Sequence, residues 1–248
     1  AITTSTKAIF VETPTNPMMQ ITDIAAVAAA AKKHGLIVIV DNTFLSPYFQ
    51  NPLQLGANIV IHSGTKYLGG HNDSLAGYVV VDSEELAEKV RAIYGSIGYA
   101  LSPFDAWLQI RGIKTLALRM EAAQANASKI AHWLREQPKV RNVYFAGLPD
   151  HPGYAVSMKQ GRGFGSMLSF ELDSVETATE VLNRVRLIQY AESLGGVESL
   201  ITYPFTQTHA DVPEGERLAR GINDCLLRFS VGIESAEDLI ADLAQALA

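Results

Sequence analysis

The sequence predicts an α/β fold with a mostly parallel sheet, followed by a smaller α+β unit. Three observations carry this. Strand-like and helical runs alternate up to Ser102. The run LIVIVD is apolar almost throughout, as expected of a parallel strand covered on both faces. Beyond Ser102 the pattern changes to a long helical stretch and then to mixed strands and helices.

Ile9 to Glu12 forms the first short strand, stopped by the turn-forming TPTNP. TDIAAVAAAAKKHG then reads as a helix, with Thr22 or Asp23 as cap, Ile24, Val27, Ala28 and Ala31 at helical spacing, and Gly35 as stop. LIVIVD, ANIVIHS and AGYVVVD supply three more strands, and SEELAEKVRAIYG returns to helix. The stretch from Ser102 to Gln137 reads as one long helix weakened near Gly112 and closed by Pro138. We therefore expect a first unit over residues 1–112, and over 113–248 a linking helix plus the α+β unit. There, GSMLSFEL and CLLRFSVGI are strands, and VETATEVLNRV and SAEDLIADLAQAL are helices. In the last of these, Ser235 and Asp238 have capping-box spacing, and Leu239, Ile240, Leu243 and Leu247 form its apolar face.

At 248 residues, 48% of them apolar, the chain can bury a sizeable core. A net charge of −6 and the lack of any basic run argue against nucleic-acid binding. No apolar stretch is long enough to span a membrane, and Ala25 to Ala31 is too short. The opening AITTSTKAIF lacks a basic segment followed by an apolar one, and Cys225 is the single cysteine; both suit a cytoplasmic location. In CLLRF that cysteine reads as a small core residue. His62, His71, His151 and His209 are scattered without metal-ligand spacing, so no metal is expected. GRGFGS leads into a strand, unlike a dinucleotide fingerprint, and no nucleophile elbow is present.

The residues with chemical potential sit at strand ends. Asp41 closes LIVIVD, where an open parallel sheet presents its ligand crevice. A carboxylate there serves as metal ligand, ribose acceptor, counter-ion of a buried cation, or cap of the next loop. Lys66, in IHSGTKYLGG, opens into the same crevice. It is not a phosphate-loop lysine: Thr65 precedes it, Tyr67 follows it, and Val60 stands where the upstream glycine belongs. What remains is a desolvated amine that attacks a carbonyl, with Ser63 and Thr65 as hydroxyl donors to a phosphate, or an ordinary solvated lysine. Asn16, stiffened by Pro14 and Pro17, is an orienting amide or a turn residue. Arg228 interrupts an apolar strand and needs an anion, either a substrate carboxylate or an internal Asp or Glu. Glu192 and Ser193 precede a glycine pair that lets the backbone approach something closely.

Taken together, ETPTNP, VDNTFLSPYFQNPLQLGANIVIHSGTKYLGGHND, SPFDAWLQIRGIKTLALRM, ESLGGVESL, THADVP and LRFSVGIE occur in one order along essentially the whole chain. In these motifs the chain resembles the cystathionine-metabolism family of pyridoxal-phosphate enzymes, comprising cystathionine γ-lyase, β-lyase and γ-synthase and methionine γ-lyase. The resemblance implies an aspartate-aminotransferase-like (fold type I) domain and pyridoxal 5'-phosphate as cofactor. It implies that Lys66 carries the cofactor covalently and later acts as general base, and that Asp41 pairs with the ring nitrogen. By the same resemblance, Ser63 and Thr65 would bind the phosphate, and Thr43 would lie at the ring face. Asn16 would lie near the phenolic oxygen and the substrate carboxylate, which Ser193 and Arg228 would hold.

Glu192 stands where γ-active members resemble one another, which favours a γ-cleaving cystathionine lyase, with β activity on the same scaffold. The alternatives are a γ-synthase or O-acylhomoserine sulfhydrylase and, in another class, a non-catalytic α/β binding module. The family also implies a homotetramer built of tight dimers acting on a small amino-acid substrate. Its members begin well before TKAIFVETPTNP, with a glycine-led phosphate loop, a ring-stacking aromatic, and a Tyr and Arg lent to the neighbouring subunit. The expectation is that this chain is the C-terminal two-thirds of such an enzyme, with little lyase activity without the N-terminal part.

Overall fold

The computed structural model describes residues 2–248. The first half builds a four-stranded sheet, β1 (Ala8–Glu12), β2 (Ile37–Asp41), β3 (Ile59–Ser63) and β4 (Gly77–Val81), in sequential order. The first three strands are parallel and β4 is an antiparallel edge, so the expected parallel character holds. Helix α1 (Ile24–Lys33) crosses between β1 and β2. Its Asp23 side chain, not Thr22, accepts from the Ala26 N–H, and Lys32 and Lys33 sit at the negative end of the helix dipole.

Among the described residues LIVIVD is covered on one face, where the sequence predicts cover on both. Burial alternates along β2 and β3: Val38, Val40 and Val60 pack with Ile24, Ala31 and Ala57, while Ile37, Ile39 and Ile61 are only half-buried. Within the described residues the sheet therefore has one covered face, and on the other Phe10 and Val79 are exposed.

The short helix α2 (Ser46–Phe49) follows β2, and α3 (Glu84–Ile97), capped by Ser83, follows β4. The expected long helix is two: α4 (Pro103–Ile113) and α5 (Leu116–Arg135), broken at Lys114–Thr115. The second half forms a five-stranded sheet from β5 (Val140–Tyr144), β6 (Met167–Leu172), β7 (Gln189–Tyr190), β8 (Leu200–Thr202) and β9 (Leu226–Ser230), in the order β5-β6-β9-β8-β7. All its pairings are antiparallel except β7 with β8. The remaining helices are α6 (Tyr154–Gln160), α7 (Val175–Arg184), α8 (Glu214–Ala219) and α9 (Ala236–Leu247). Ser235 caps α9 through the Asp238 N–H at 3.3 Å, and Leu239, Leu243 and Leu247 are buried.

One core packs Ala127, Ile130 and Leu134 of α5 and Leu239 and Leu243 of α9 against Leu168, Phe170, Leu227 and Phe229 of the second sheet. Helix α5 thus supplies one wall of that core, and its N-terminal end reaches the Lys66 turn, as described below. Alternation along β9 points Leu227 and Phe229 into this core and leaves Arg228 on the opposite face, as the period of two predicts. Cys225 is buried, as expected of a small core residue.

Candidate active site

Lys66 sits in a π-turn, Gly64–Leu68, directly after β3, and its own backbone departs from helical geometry (φ −94, ψ −129). Such bulges aim a side chain away from the helical path. Here the ε-amine donates to Ser193 Oγ at 2.9 Å across the interval between the two sheets. Burial lowers the Lys66 pKa from its ordinary value, the Arg228 cation lowers it further, and Glu192 partly offsets both. An amine depressed in this way is nucleophilic at lower pH than a solvated lysine. The reading of Lys66 as a solvated surface charge therefore does not fit.

Ser193 holds a positive φ of 89°, uncommon for a residue with a Cβ. Gly195 follows with φ 77°, and a Cβ there would come within 2.8 Å of the Tyr67 backbone nitrogen. The glycine pair thus lets the 193–196 loop press against the lysine turn. This is the close approach that AESLGGVESL foreshadows.

Arg228 is 2% exposed and has no carboxylate partner among the described residues. The internal salt bridge considered from sequence is absent there. Nη2 donates instead to the Ser193 carbonyl at 2.8 Å and to Thr202 Oγ1 at 2.9 Å, and Nη1 donates to Asn16 Oδ1 at 3.2 Å. Its Nε is buried with no partner. Burial lowers the guanidinium pKa to about 10, against the favourable influence of Tyr67 and Glu192. A buried guanidinium satisfied only by neutral oxygens, with its Nε–H unpartnered, is suited to an anion. Asn16 reaches it from the TPTNP turn, whose Pro17 carbonyl accepts from Ser169 Oγ at 2.7 Å.

Asp41 ends β2, in register with Glu12 on one side and Ile61 on the other. It accepts from the Thr43 N–H at 2.9 Å, so it does cap its own loop, and Thr43 Oγ1 accepts from the Ser63 N–H at 2.9 Å. Asp41, Thr43 and Ser63 are thereby knitted into one strand-end cluster. Thr65 is engaged differently: its hydroxyl accepts from the Ala76 N–H at 3.1 Å and donates weakly back to the Ala76 carbonyl at 3.4 Å. A cleft of about 640 Å³ opens beside Thr65, Glu192 and Ser193. The structure therefore joins Lys66, Ser193, Arg228 and Asn16 through direct bonds and Asp41, Thr43 and Ser63 through others. Glu192 lies close enough to act on both cations.

Sequence reasoning missed Thr202, Glu12 and Arg119. Thr202 carries no signal in the sequence, since it meets Arg228 only through β8–β9 pairing. Arg119 carries one: it falls with Leu116, Met120 and Ala123 on the buried stripe of α5, where a charge is out of place. Glu12 is half-buried, and its carboxyl is pushed up to about 7 by burial and by Asp41 beside it. The folded chain thus keeps this proton up to about pH 7, whereas the unfolded chain releases it near 4.5, so stability falls as pH rises through that window. Glu12→Gln should be more stable than the parent above pH 7 by about 1–2 kcal/mol, discounted for partial exposure, with no difference below pH 4.5. Urea unfolding across this range checks it, and parallel pH profiles for the two chains would refute it.

The family model described as Cys/Met metabolism PLP-dependent enzyme matches residues 1–248. The chain belongs to this family. It is 53% identical to the cystathionine gamma-lyase of Bacillus subtilis (strain 168), over 100% of the chain and 65% of that protein. It is 52% identical to the cystathionine gamma-synthase of Haemophilus influenzae, over 100% of the chain and 63% of that protein. The crystal structure of cystathionine gamma-lyase from Lactobacillus plantarum complexed with L-serine superposes with a TM-score of 0.97 at 48% identity, covering 99% of the chain and 65% of that structure. The chain thus spans about 65% of the length of these PLP-dependent relatives.

The residues present fit the family's cofactor. The desolvated Lys66 amine suits an aldehyde, the Asp41 carboxylate stands at the end of a parallel strand, and hydroxyls flank Gly64 at the end of β3. No set of three or more His, Cys, Asp or Glu able to hold a metal occurs among the described residues, and none of their helices is long and apolar enough to cross a membrane.

Proposed function

We propose that this chain belongs to a pyridoxal-phosphate carbon–sulfur lyase of sulfur amino acids, with γ-elimination of cystathionine as its leading reaction and β-elimination on the same scaffold. The observation that carries this reading is the Lys66–Ser193–Arg228 chain: a desolvated amine bonded to the loop whose carbonyl fills a buried, carboxylate-free guanidinium.

In this reading Arg228 takes the substrate α-carboxylate in its planar fork, using Nε and the donors now spent on neutral oxygens, while Asn16 fixes the fork's orientation. Lys66, Asp41, Ser63, Thr65, Thr43 and Asn16 would hold the cofactor, with Asp41 facing the ring nitrogen. When bound, pyridoxal phosphate supplies an electron sink for the charge left at Cα. The neutral Lys66 amine removes the Cα proton, and Ser193 Oγ holds that amine in place. Glu192 lies beside both cations, and its resemblance to γ-active members at this position favours work at Cγ. A division into residues 1–112 and 113–248, a cytoplasmic location, and a homotetramer of tight dimers complete the proposal.

Product analysis tests it. The protein carrying this chain should convert cystathionine to cysteine and 2-oxobutanoate, with homocysteine and pyruvate as the β products. Cystathionine made from O-acylhomoserine and cysteine, with no cleavage, would replace the lyase by a synthase. No cofactor absorbance at all would leave a non-catalytic module.

A further inference from the structure

The turn that carries Lys66 is held from beneath by two side chains. Gln109 of α4, 1% exposed, donates from Nε2 to the Gly64 carbonyl at 3.1 Å and accepts from the Tyr78 hydroxyl at 3.0 Å. Arg119 of α5, 6% exposed, works at the other end of the turn. Its Nη1 donates to the Tyr67 carbonyl at 2.7 Å and its Nη2 to the Gly112 carbonyl at 2.8 Å and, weakly, to the Leu68 carbonyl at 3.4 Å. Its Nε donates to Thr115 Oγ1 at 3.0 Å.

No carboxylate accompanies this guanidinium in an ion pair among the described residues, and burial lowers its pKa. A methionine would fill similar space at less desolvation cost, so packing alone does not account for an arginine here. Its fork instead spans three backbone carbonyls on two different segments, which a point-charge ammonium cannot do. Gly70 completes the socket: it has a φ of 74°, and a Cβ there would overlap the Arg119 guanidinium.

We propose that Arg119 is a positioning residue for Lys66: by clamping the carbonyls of the two residues after it against the α4–α5 junction, it holds the non-helical Lys66 backbone that aims the ε-amine at Ser193. This inference rests on the reading of Lys66 as the reactive amine. Without the clamp the turn relaxes towards regular helix, Lys66 leaves its desolvated position, and its pKa returns towards the ordinary lysine value.

The test labels the full chain with pyridoxal 5'-phosphate. Lys66 Nζ condenses with the aldehyde carbon with loss of one water, borohydride hydride then reduces the C=N bond to a stable amine, and peptide mass locates the product. Arg119→Lys keeps the charge but loses the fork, and Gly70→Ala keeps the arginine but displaces it. Both should raise the pH midpoint of Lys66 labelling by about one unit, slowing labelling at pH 7.5 about tenfold. Arg119→Met should raise it at least as far. Far-UV circular dichroism and the thermal midpoint monitor folding, and a purely structural role would lower the thermal midpoint without moving the labelling midpoint of the folded chain. Folded Arg119→Lys and Gly70→Ala chains with the parent's midpoint and rate would overturn the proposal. So would loss of the fold in both, which would make Arg119 a stability residue only. Absence of label on Lys66 in the parent chain would remove the reactive-lysine reading, and this inference with it.

Discussion

Lys66→Ala should abolish cofactor attachment and reduce any turnover to background. Two roles are lost together. In the proposed reading the amine that would carry the cofactor disappears, and so does the base that would take the Cα proton, a role worth about 10²–10⁴-fold. The effect should be specific, because among the described residues the Lys66 amine bonds only to Ser193 Oγ, and the substitution leaves the backbone bonds of the turn in place. Borohydride reduction followed by peptide mass should find the cofactor on Lys66 in the parent and nowhere in the variant. Parent-like turnover by Lys66→Ala would dismiss the assignment of this residue. Lys66→Arg should be equally inactive, since a guanidinium stays protonated and forms no imine.

Arg228→Met should weaken binding of an α-amino acid such as L-serine far more than it changes stability. Truncating one member of a buried charge pair costs about 2–5 kcal/mol, or roughly 30- to 5000-fold in affinity. In the ligand-free chain two terms oppose each other. Removing an unpaired buried cation relieves its desolvation, while the Ser193 carbonyl and Thr202 Oγ1 lose their donor. We expect the unfolding free energy to stay within about 2 kcal/mol of the parent. Ethanolamine, which has the amine but no carboxylate, is the control. The parent should prefer L-serine strongly and the variant should lose that preference. If the variant kept it, Arg228 would not be the carboxylate site.

The legible part of the site consists of residues that break a local pattern. Arg228 stands between Leu227 and Phe229 in a largely apolar strand, and Lys66 stands among small residues after another. Asp41 ends a parallel strand, where topology sets the crevice. Each of these is visible as a polar group in the wrong company. Arg119 had the same signature, a charge on the buried stripe of a helix, but the long helical reading from Ser102 to Gln137 obscured it. The break at Lys114–Thr115 lies beside Arg119, whose bond to the Tyr67 carbonyl joins residues more than fifty positions apart in sequence.

The first four strands, helices α1, α3, α7 and α9 and strands β6 and β9 were in the sequence, because alternating apolar runs, caps such as Asp23 and Ser235, and stops such as Gly35 act over a few residues. The short β5, β7, β8, α6 and α8 carried no such signal. The family was in the sequence too, through motifs spread along the chain. What only the tertiary structure decided was pairing. It showed that, among the described residues, Arg228 is bonded to Asn16, Ser193 and Thr202 and not to an acid, and that the lysine turn rests on a guanidinium. These facts depend on groups distant in sequence meeting in space. Local propensity has no term for that, whereas the cost of burying an unpaired charge does.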